Sequence, residues 1–444
     1  MESVKRMDGA KRIENLVDRL AESHILSREE FCFLLDNIEP EQDGYLYGKA
    51  RKQALASYGN RVFVRGLIEF TNYCKNDCYY CGIRRSNQKA SRYRLTPEQV
   101  MDCCHTGYGL GFRTFVLQGG EDPWFSDQKI AYLVERIRST YPDCAITLSV
   151  GEKEYDTYKM WFDAGADRYL LRHETANPCH YASLHPPQMS SGHRKECLES
   201  LKKIGYQTGC GIMVGAPYQT TGHIAEDLEY MYGLQPQMVG IGPFIPHHDT
   251  PFGGRPAGTL RQTLLLLAIV RLMLPDVLLP ATTALGTAAP NGREQGVLAG
   301  ANVVMPNLSP LDVRKKYMLY DNKISTGVEA AANIKELKQQ MNCADCFEQS
   351  SVKTRIDILY GMYLDCKHIG DFLYKRAQVA EILKRERREQ AHVKKVTELE
   401  YHNRKHIWHT TVSISKQLTN GYGISPDAKG TDKSYAGRID KKTV

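Results

Sequence analysis

Three closely spaced cysteines are the residues of this sequence best suited to chemistry. Cys74, Cys78 and Cys81 form a C-x3-C-x2-C pattern after an apolar run with strand character, and Tyr80 precedes the last cysteine. Iron–sulfur clusters are normally held by four cysteines. Three thiolates therefore predict a four-iron, four-sulfur (4Fe-4S) cluster in which one iron has no protein ligand. An open metal position is where a substrate or cofactor can bind and react.

Two other interpretations of the three cysteines are weaker. A closed zinc site needs four ligands, and a fourth would have to come from Cys103 or Cys104, which are distant in sequence. Packing of the cysteines as core residues is disfavoured because Lys75, Asn76 and Asp77 lie between them. These polar neighbours are typical of a loop.

Glycines and charged residues recur where predicted strands end. Gly119 and Gly120 follow one strand, and a missing Cβ lets a ligand approach the backbone. Such a turn is common by itself. Arg172 and Glu174 follow another predicted strand. They can bind the carboxylate and the ribose or amino groups of a ligand, or they can form a structural ion pair with each other.

Short strand-like runs alternate with amphipathic segments of helical length after residue 61. Strands are predicted at residues 62–71, 114–117, 145–150, 168–172, 209–214, 238–244, 277–281 and 302–305. Helices are predicted at residues 97–107, 128–140, 155–164, 194–204, 224–232, 260–272 and 292–298. This alternation predicts an α/β fold, a complete (β/α)8 TIM barrel, with its active site at the carboxyl ends of the strands.

The sequence pattern divides the chain into four segments. Residues 1–60 are predicted to be helical, with a capping box at residues 27–30. Residues 61–350 form the predicted barrel, and residues 351–417 a basic helical extension. Residues 418–444 contain few large apolar groups and are predicted to be disordered.

Composition excludes several classes of protein. The 444 residues are 42% hydrophobic, enough for a sizeable core, but no apolar run is long enough to span a membrane. The N-terminus lacks the apolar stretch of a signal peptide, so a cytoplasmic location is predicted. The 13 cysteines favour thiols and metal ligands over a disulfide framework. The net charge of +7 is modest and gives little support for a nucleic-acid partner.

The cysteine motif resembles that of the radical S-adenosylmethionine (SAM) enzymes, C-x3-C-x-aromatic-C. Longer motifs at residues 68–72, 117–122, 168–176, 238–246, 280–284 and 304–307 are similar to those of the HydE family of FeFe-hydrogenase maturases. The resemblance extends from about residue 15 to about residue 350. It implies that the cluster cleaves SAM reductively to methionine and a 5′-deoxyadenosyl radical. It also implies a role in assembling the two-iron subcluster of the hydrogenase H-cluster.

The resemblance assigns roles to residues by their position in the motifs. The cluster ligands are the three cysteines. The residues around SAM would be Gln118, Gly119, Gly120, Glu121, Thr147, Glu174, Arg194 and Met213. On the substrate side, Arg168 and Met305 would bind and Arg172, Thr282, Thr283 and Tyr317 would be the catalytic candidates. Ordinary packing is an alternative for Met305, and a β-branched strand position is one for Thr282 or Thr283.

The resemblance also implies the cofactors and partners. These are one 4Fe-4S cluster, exchangeable SAM, a small organometallic iron–cysteine substrate, a reducing electron donor, and two other maturases, a radical enzyme and a GTPase scaffold. No nucleic-acid or membrane partner is expected. Some family members carry a second cluster on three cysteines. Cys343 and Cys346 match two of them, but Ile324 occupies the third position, so no stable second cluster is expected.

Two alternative functions stay open at this stage. The biotin synthase and methylornithine synthase group shares the barrel and the cluster. Biotin synthase needs a further cluster inside the barrel, and Cys144 and Cys210 lie near two predicted strands. The other alternative is a non-catalytic iron–sulfur carrier or scaffold. Such a protein would keep the three cysteines without needing the residues assigned to SAM.

Overall fold

The computed structural model describes residues 2–324 of the chain. Its helices are α1 Glu2–Ser23, α2 Arg28–Asn37, α3 Pro40–Tyr58, α4 Pro97–Gly109, α5 Asp127–Thr140, α6 Tyr155–Asp163, α7 Pro178–Leu184, α8 Ser191–Ile204, α9 Thr221–Leu234, α10 Leu260–Met273, α11 Thr283–Ala288, α12 Gly292–Leu298 and α13 Leu311–Arg314. The strands are β1 Phe63–Val64, β2 Gly66–Thr71, β3 Thr114–Gly119, β4 Ala145–Ser149, β5 Arg168–Leu170, β6 Gln207–Val214, β7 Met238–Pro243 and β8 Val303–Val304. The predictions for residues 325–444, including Cys343 and Cys346, lie outside the described residues.

The strands form a parallel sheet in the order β2-β3-β4-β5-β6-β7, and β1 pairs separately with β8. The predicted α/β class with alternating strands and helices is therefore confirmed. Single parallel bridges join Met238 to Leu278, Pro280 to Val303, and Leu67 to Asn307. The continuous sheet thus has six of the eight predicted strands, and isolated bridges link its two edge strands, β2 and β7, to the segments around β8.

Two predicted strands differ from the observed structure. The strand predicted at residues 62–71 is divided at Arg65, where the chain changes its partner from β8 to β3. The strand predicted at residues 277–281 makes only single bridges at Leu278 and Pro280. Proline has no N–H to donate to a ladder. A regular pair of strands therefore cannot continue through position 280.

The alternative of strand positions for Thr282 and Thr283 is wrong. Thr282 is the N-cap of α11, and Thr283 is the first residue of that helix. The Thr282 side chain makes no capping hydrogen bond. Threonine is a common N-cap residue, and the sequence prediction missed this short helix.

The two faces of the sheet have different environments. Phe115, Leu117, Ile146, Leu148 and Ile212 belong to the large hydrophobic cluster that the helices cover. Side chains alternate between faces along a strand. The other face therefore carries the intervening positions, which include many of the polar residues singled out in the sequence.

The N-terminal helices pack against helices α9 and α10. The predicted capping box opens α2, since Ser27 accepts from the backbone of Glu30 and the Glu30 side chain accepts from Ser27. Helix α3 packs against α10, whose middle is entirely buried. Among residues 2–324, no helix combines the length and apolarity needed to span a membrane.

Candidate active site

The cysteine loop, residues 72–82, follows β2 and carries the three thiols. All three are free and partly accessible, although the surrounding protein desolvates their sulfur atoms. Desolvation, followed by the charges of Cys81 and Cys74, raises the pKa of Cys78 well above its usual value. Desolvation and then Cys74 raise the pKa of Cys81 to about 12. The sulfurs are close enough to oppose one another's ionisation, so three thiolates there require a compensating cation.

The donor set of the cysteine loop suits an iron–sulfur cluster, because such clusters are held by soft thiolate ligands. Elsewhere in the described part of the chain, the ligating atoms of His247, His248 and Asp249 lie within 4.8 Å of one another. In the histidine group, His248 Nδ1 is hydrogen-bonded to Asp321 at 2.7 Å.

The Gly-Gly-Glu turn after β3 is bound to the cysteine loop. The N–H of Lys75 donates to the Glu121 carbonyl oxygen at 2.8 Å, and Asn76 Nδ2 donates to Glu121 Oε1 at 2.8 Å. A Cβ at Gly120 would lie 2.2 Å from the carbonyl oxygen of Tyr73. Position 120 therefore requires glycine because the two loops approach so closely.

Arg92 forms hydrogen bonds with the backbone at both ends of the cysteine loop. Its Nη1 donates to the carbonyl oxygens of Asn72 at 2.5 Å and Ile83 at 2.8 Å. Its Nη2 donates to those of Arg84 at 2.6 Å and Asn87 at 3.1 Å. One guanidinium thus satisfies four backbone acceptors on both sides of the cysteines. The sequence prediction did not identify this residue, because nothing in the motif marks it.

Two further segments close over the loop. The N–H of Tyr79 donates to the carbonyl oxygen of Leu184, the last residue of α7, at 3.0 Å, and that of Gly82 donates to the carbonyl oxygen of Leu319 at 2.8 Å. A Cβ at Gly82 would lie 2.2 Å from His247 Cδ2. The loop is consequently enclosed by segments that are up to 237 residues distant in the sequence, the separation of Gly82 and Leu319.

Arg172, Glu174 and Arg194 lie together in the structure. Arg172 Nη2 is 3.0 Å from Glu174 Oε2. Arg194 donates from Nη1 to the carbonyl oxygen of Arg172 at 2.7 Å and forms an ion pair with Glu152. The Arg172–Glu174 ion pair considered in the sequence is therefore present.

Several buried polar atoms near this group make no hydrogen bond. They are Nε of Arg172 and the hydroxyls of Thr147 and Thr282, whereas Nη2 of Arg172 and Oε2 of Glu174 are paired with each other. Buried polar groups normally have partners. Glu174 also has a φ of 64°, in the left-handed region that non-glycine residues rarely adopt. These are features of a site built to receive a polar ligand.

The side chains of Gln118 and Tyr317 are in contact. Gln118 Nε2 donates to the Tyr317 hydroxyl at 3.4 Å, and burial raises the pKa of Tyr317 well above its usual value. Lys323 donates to Glu69 Oε1 at 2.5 Å and to the Tyr317 carbonyl at 3.0 Å. Asn307 donates to the other carboxylate oxygen of Glu69 at 2.8 Å. The sequence prediction missed Lys323.

The remaining predicted residues lie at different depths. Arg168 is the first residue of β5 and contacts Gln207 and Thr114, which begin β6 and β3. It therefore lies at the opposite ends of the strands from the cysteine loop. Met213, near the end of β6, packs in a small apolar cluster that includes Tyr80. Met305 is half-buried just after β8.

Comparison with known proteins relates this geometry to function. Residues 68–231 match the model of the radical SAM superfamily. The chain is 46% identical over 266 residues to the [FeFe] hydrogenase maturase subunit HydE of Thermotoga maritima, covering 60% of this chain and 76% of that protein. This chain belongs to the HydE family. It is accordingly a radical SAM enzyme, and the superfamily's chemistry uses a 4Fe-4S cluster and SAM.

Other proteins are similar to this chain in sequence or in fold. The chain is 31% identical to 3-methylornithine synthase of Methanosarcina barkeri, over 67% of this chain and 84% of that one. The crystal structure of methylornithine synthase (PylB) aligns with a TM-score of 0.64 at 26% identity, covering 77% of this chain and 99% of that one. The maturase HydG aligns with a TM-score of 0.64 at 20% identity, covering 75% and 74%, and therefore supports the fold alone.

Proposed function

We propose that Cys74, Cys78 and Cys81 hold one 4Fe-4S cluster and that this chain cleaves SAM reductively during assembly of the two-iron subcluster of FeFe-hydrogenase. When bound, the cluster supplies an electron that divides SAM into methionine and a 5′-deoxyadenosyl radical. The observation that carries the proposal is the enclosed three-cysteine loop beside buried, unpartnered polar atoms. A three-cysteine site leaves one iron open for the cofactor.

The SAM-side residues are proposed to divide the binding of one cofactor among them. Arg172 Nε has no partner, and the Arg172–Glu174 ion pair offers a cation and a carboxylate suited to the carboxylate and to the ammonium or ribose group of SAM. Thr147 offers a free hydroxyl. The other proposed contacts are Gln118, Gly119, Gly120, Glu121, Arg194 and Met213. Because Glu121 and Gly120 already hold the cysteine loop, they also couple cofactor binding to the shape of that loop.

The substrate is proposed to occupy the space enclosed by a complete (β/α)8 barrel. The three isolated bridges beyond the six-stranded sheet support closure of the ring. Strands β6 and β7 carry Gly240, where a Cβ would have no neighbour closer than 3.8 Å. The proposed site for a small organometallic iron–cysteine compound lies beside this open position. Arg168, Arg172, Thr282, Thr283, Met305 and Tyr317 are the proposed substrate-side residues.

The proposed partners follow from the family. Maturation by the HydE family would involve a second radical enzyme, a GTPase scaffold and a reducing electron donor. A single cluster is proposed, because position 324 is isoleucine. Its N–H contacts Thr287 Oγ1 at 3.4 Å, and a Cβ at Gly286 would lie 2.9 Å from its Cδ1. The Ile324 side chain thus packs against Gly286 and, being apolar, supplies no ligand for a second cluster.

The positions of two cysteines disfavour an activity like that of biotin synthase. Cys144 and Cys210 are fully buried in the hydrophobic cluster between the sheet and the helices. Their sulfurs are on the outer side of the sheet and cannot donate to a cluster inside it. The methylornithine synthase activity has no such objection and is the second candidate, given the 31% identity.

One set of experiments separates these functions. The full chain, reconstituted anaerobically with iron and sulfide, should produce 5′-deoxyadenosine from SAM and dithionite. Cys78→Ala should abolish this product and lower the iron content by about one cluster. An intact cluster without product would reject the enzyme and favour a carrier. Deleting the gene should leave hydrogenase without its two-iron subcluster, and an unaffected hydrogenase would favour the methylornithine synthase type.

A further inference from the structure

The end of α7 and the turn that leads to α8 contact the middle of the cysteine loop. The Leu184 carbonyl oxygen accepts from the N–H of Tyr79 at 3.0 Å. The next residue, His185, has its Nε2 3.1 Å from the hydroxyl oxygen of Tyr80. Two successive residues, the last of α7 and the first of the turn after it, thus contact two successive residues of the loop. Both loop residues lie between the second and third cysteines.

The direction of the hydrogen bond between Tyr80 and His185 follows from the other ring nitrogen. His185 Nδ1 is 3.0 Å from the carbonyl oxygen of Tyr181, which can only accept, so Nδ1 carries the proton. In the neutral ring, Nε2 is then the acceptor and Tyr80 donates its O–H. Burial, followed by the charge of Arg194, lowers the pKa of His185 to about 3 and keeps the ring neutral.

Ring packing fixes the same geometry. The His185 ring stacks on Tyr181 with centroids 4.0 Å apart and meets Tyr80 edge-on at 5.5 Å. His185 is 1% exposed, so the hydroxyl of Tyr80 has a rigid acceptor. The thiol of Cys78 also approaches Met189 Sδ, in the same turn, at 3.9 Å.

We infer that His185 is a positioning residue that, by accepting the Tyr80 hydroxyl, holds the Cys78–Cys81 part of the loop in the shape the cluster needs. The inference rests on the proposed function, because it assumes that these cysteines hold the cluster. A tyrosine anchored through both its ring and its hydroxyl restricts the backbone on either side. Without the acceptor, the hydroxyl is left unsatisfied and the loop loses this restraint.

Three substitutions separate the hydrogen bond from the ring. Tyr80→Phe removes the donor but keeps the ring. His185→Asn keeps a donor for the Tyr181 carbonyl but has no acceptor at the Nε2 position. His185→Gln restores an acceptor near that position. Because Tyr80→Phe changes one oxygen atom, it tests the inference even if a His185 variant fails to fold.

The measurements are iron release to a chelator and the electron paramagnetic resonance spectrum of the reduced cluster, with and without SAM. Tyr80→Phe and His185→Asn should each speed iron release by roughly fivefold and alter the spectrum, the expectation for one lost hydrogen bond. The double variant should resemble either single variant, since both remove the same contact. His185→Gln should remain within about twofold of the unaltered chain.

Matched controls remove equivalent contacts elsewhere. Tyr206→Phe removes a buried hydrogen bond of 2.8 Å from the Tyr206 hydroxyl to the Tyr158 carbonyl oxygen. His180→Asn, in α7, removes a hydrogen bond of 3.0 Å between His180 Nε2 and the Pro217 carbonyl oxygen. They should lower the melting temperature without changing iron release or the spectrum. Tyr80→Phe with unaltered iron release and spectrum, or additive effects in the double variant, would overturn the inference. An unaltered chain that assembles no 4Fe-4S cluster would instead overturn the proposed function on which it rests.

Discussion

At the scale of single residues, the cysteine loop depends on side chains outside its own motif. Arg92 binds four backbone carbonyls on both sides of the cysteines, and Asn76 ties the loop to Glu121. Backbone acceptors that face inward need donors. Guanidinium supplies several in a fixed plane, which lysine cannot do.

We expect Arg92→Leu to destabilise the apoprotein and weaken cluster retention. Loss of a charged donor from four carbonyls should lower the free energy of unfolding by about 3 kcal/mol. Urea unfolding of the apoprotein and the iron content after reconstitution measure the two effects. Arg85→Leu is the control, because Arg85 is an exposed arginine of the same segment. Equal behaviour of the two variants would contradict the role given to Arg92.

The lowered pKa of His185 predicts a dependence of stability on pH. The unfolded chain takes up this proton near the ordinary pKa of 6.5, whereas the folded chain takes it up at about 3. Its contribution to stability is therefore present above pH 6.5 and is lost as the pH falls toward 3, with a slope of up to about 1.4 kcal/mol per pH unit. Apoprotein His185→Gln should show a shallower slope by urea unfolding, and an unchanged slope would refute this.

At the scale of elements, the end of β3 and the cysteine loop act as one unit. Gly120 permits the contact with Tyr73, and Glu121 provides its hydrogen bonds. The glycines of this turn were predicted from the sequence as a place where a cofactor approaches the backbone. The structure adds a second requirement, the approach of one loop to another.

Gly120→Ala should therefore displace the cysteine loop. Its Cβ would lie 2.2 Å from a backbone oxygen, and such overpacking typically costs about 1–3 kcal/mol. Less iron should be retained, and the melting temperature should fall. Gly254→Ala is the matched control, because a Cβ there would meet nothing within 4 Å. Normal iron retention by Gly120→Ala would contradict the close approach.

At the scale of the whole molecule, Glu69 and Lys323 join the first strand of the sheet to the end of the described chain. Their side chains are 1% and 5% exposed, and Lys323 also holds the carbonyl of Tyr317. Removing one partner of a buried ion pair leaves an uncompensated charge. The pair is thus positioned to fix the backbone of Tyr317.

Lys323→Met should lower the free energy of unfolding by about 3–5 kcal/mol. A double variant that adds Glu69→Gln should recover part of this loss, because it removes the stranded carboxylate. Chemical denaturation of the single and double variants measures the coupling. If Lys323→Met alone is neutral, the ion pair does not stabilise the fold.

Local patterns in the sequence were sufficient for several features. The cysteine spacing predicted the radical SAM superfamily, and the alternation of apolar runs predicted the parallel sheet and most of its helices. The predictions failed where a local signal was ambiguous. Pro280 interrupts a strand-like run. Thr282 is the N-cap of a short helix, but β-branched residues at positions 282 and 283 are more typical of a strand. Such choices depend on which backbone partners are available nearby.

The sequence alone was enough to predict the chemistry, because the spacing of the three cysteines is typical of the radical SAM superfamily, whose model the chain matches. The contacts that hold the cysteine loop in shape were seen only in the folded structure. Arg92 and His185 carry no motif, and Lys323 is 254 residues from Glu69. Contacts of this kind are formed by folding, when segments remote in sequence are brought within hydrogen-bond distance. They depend on the whole molecule, so no local pattern indicates them.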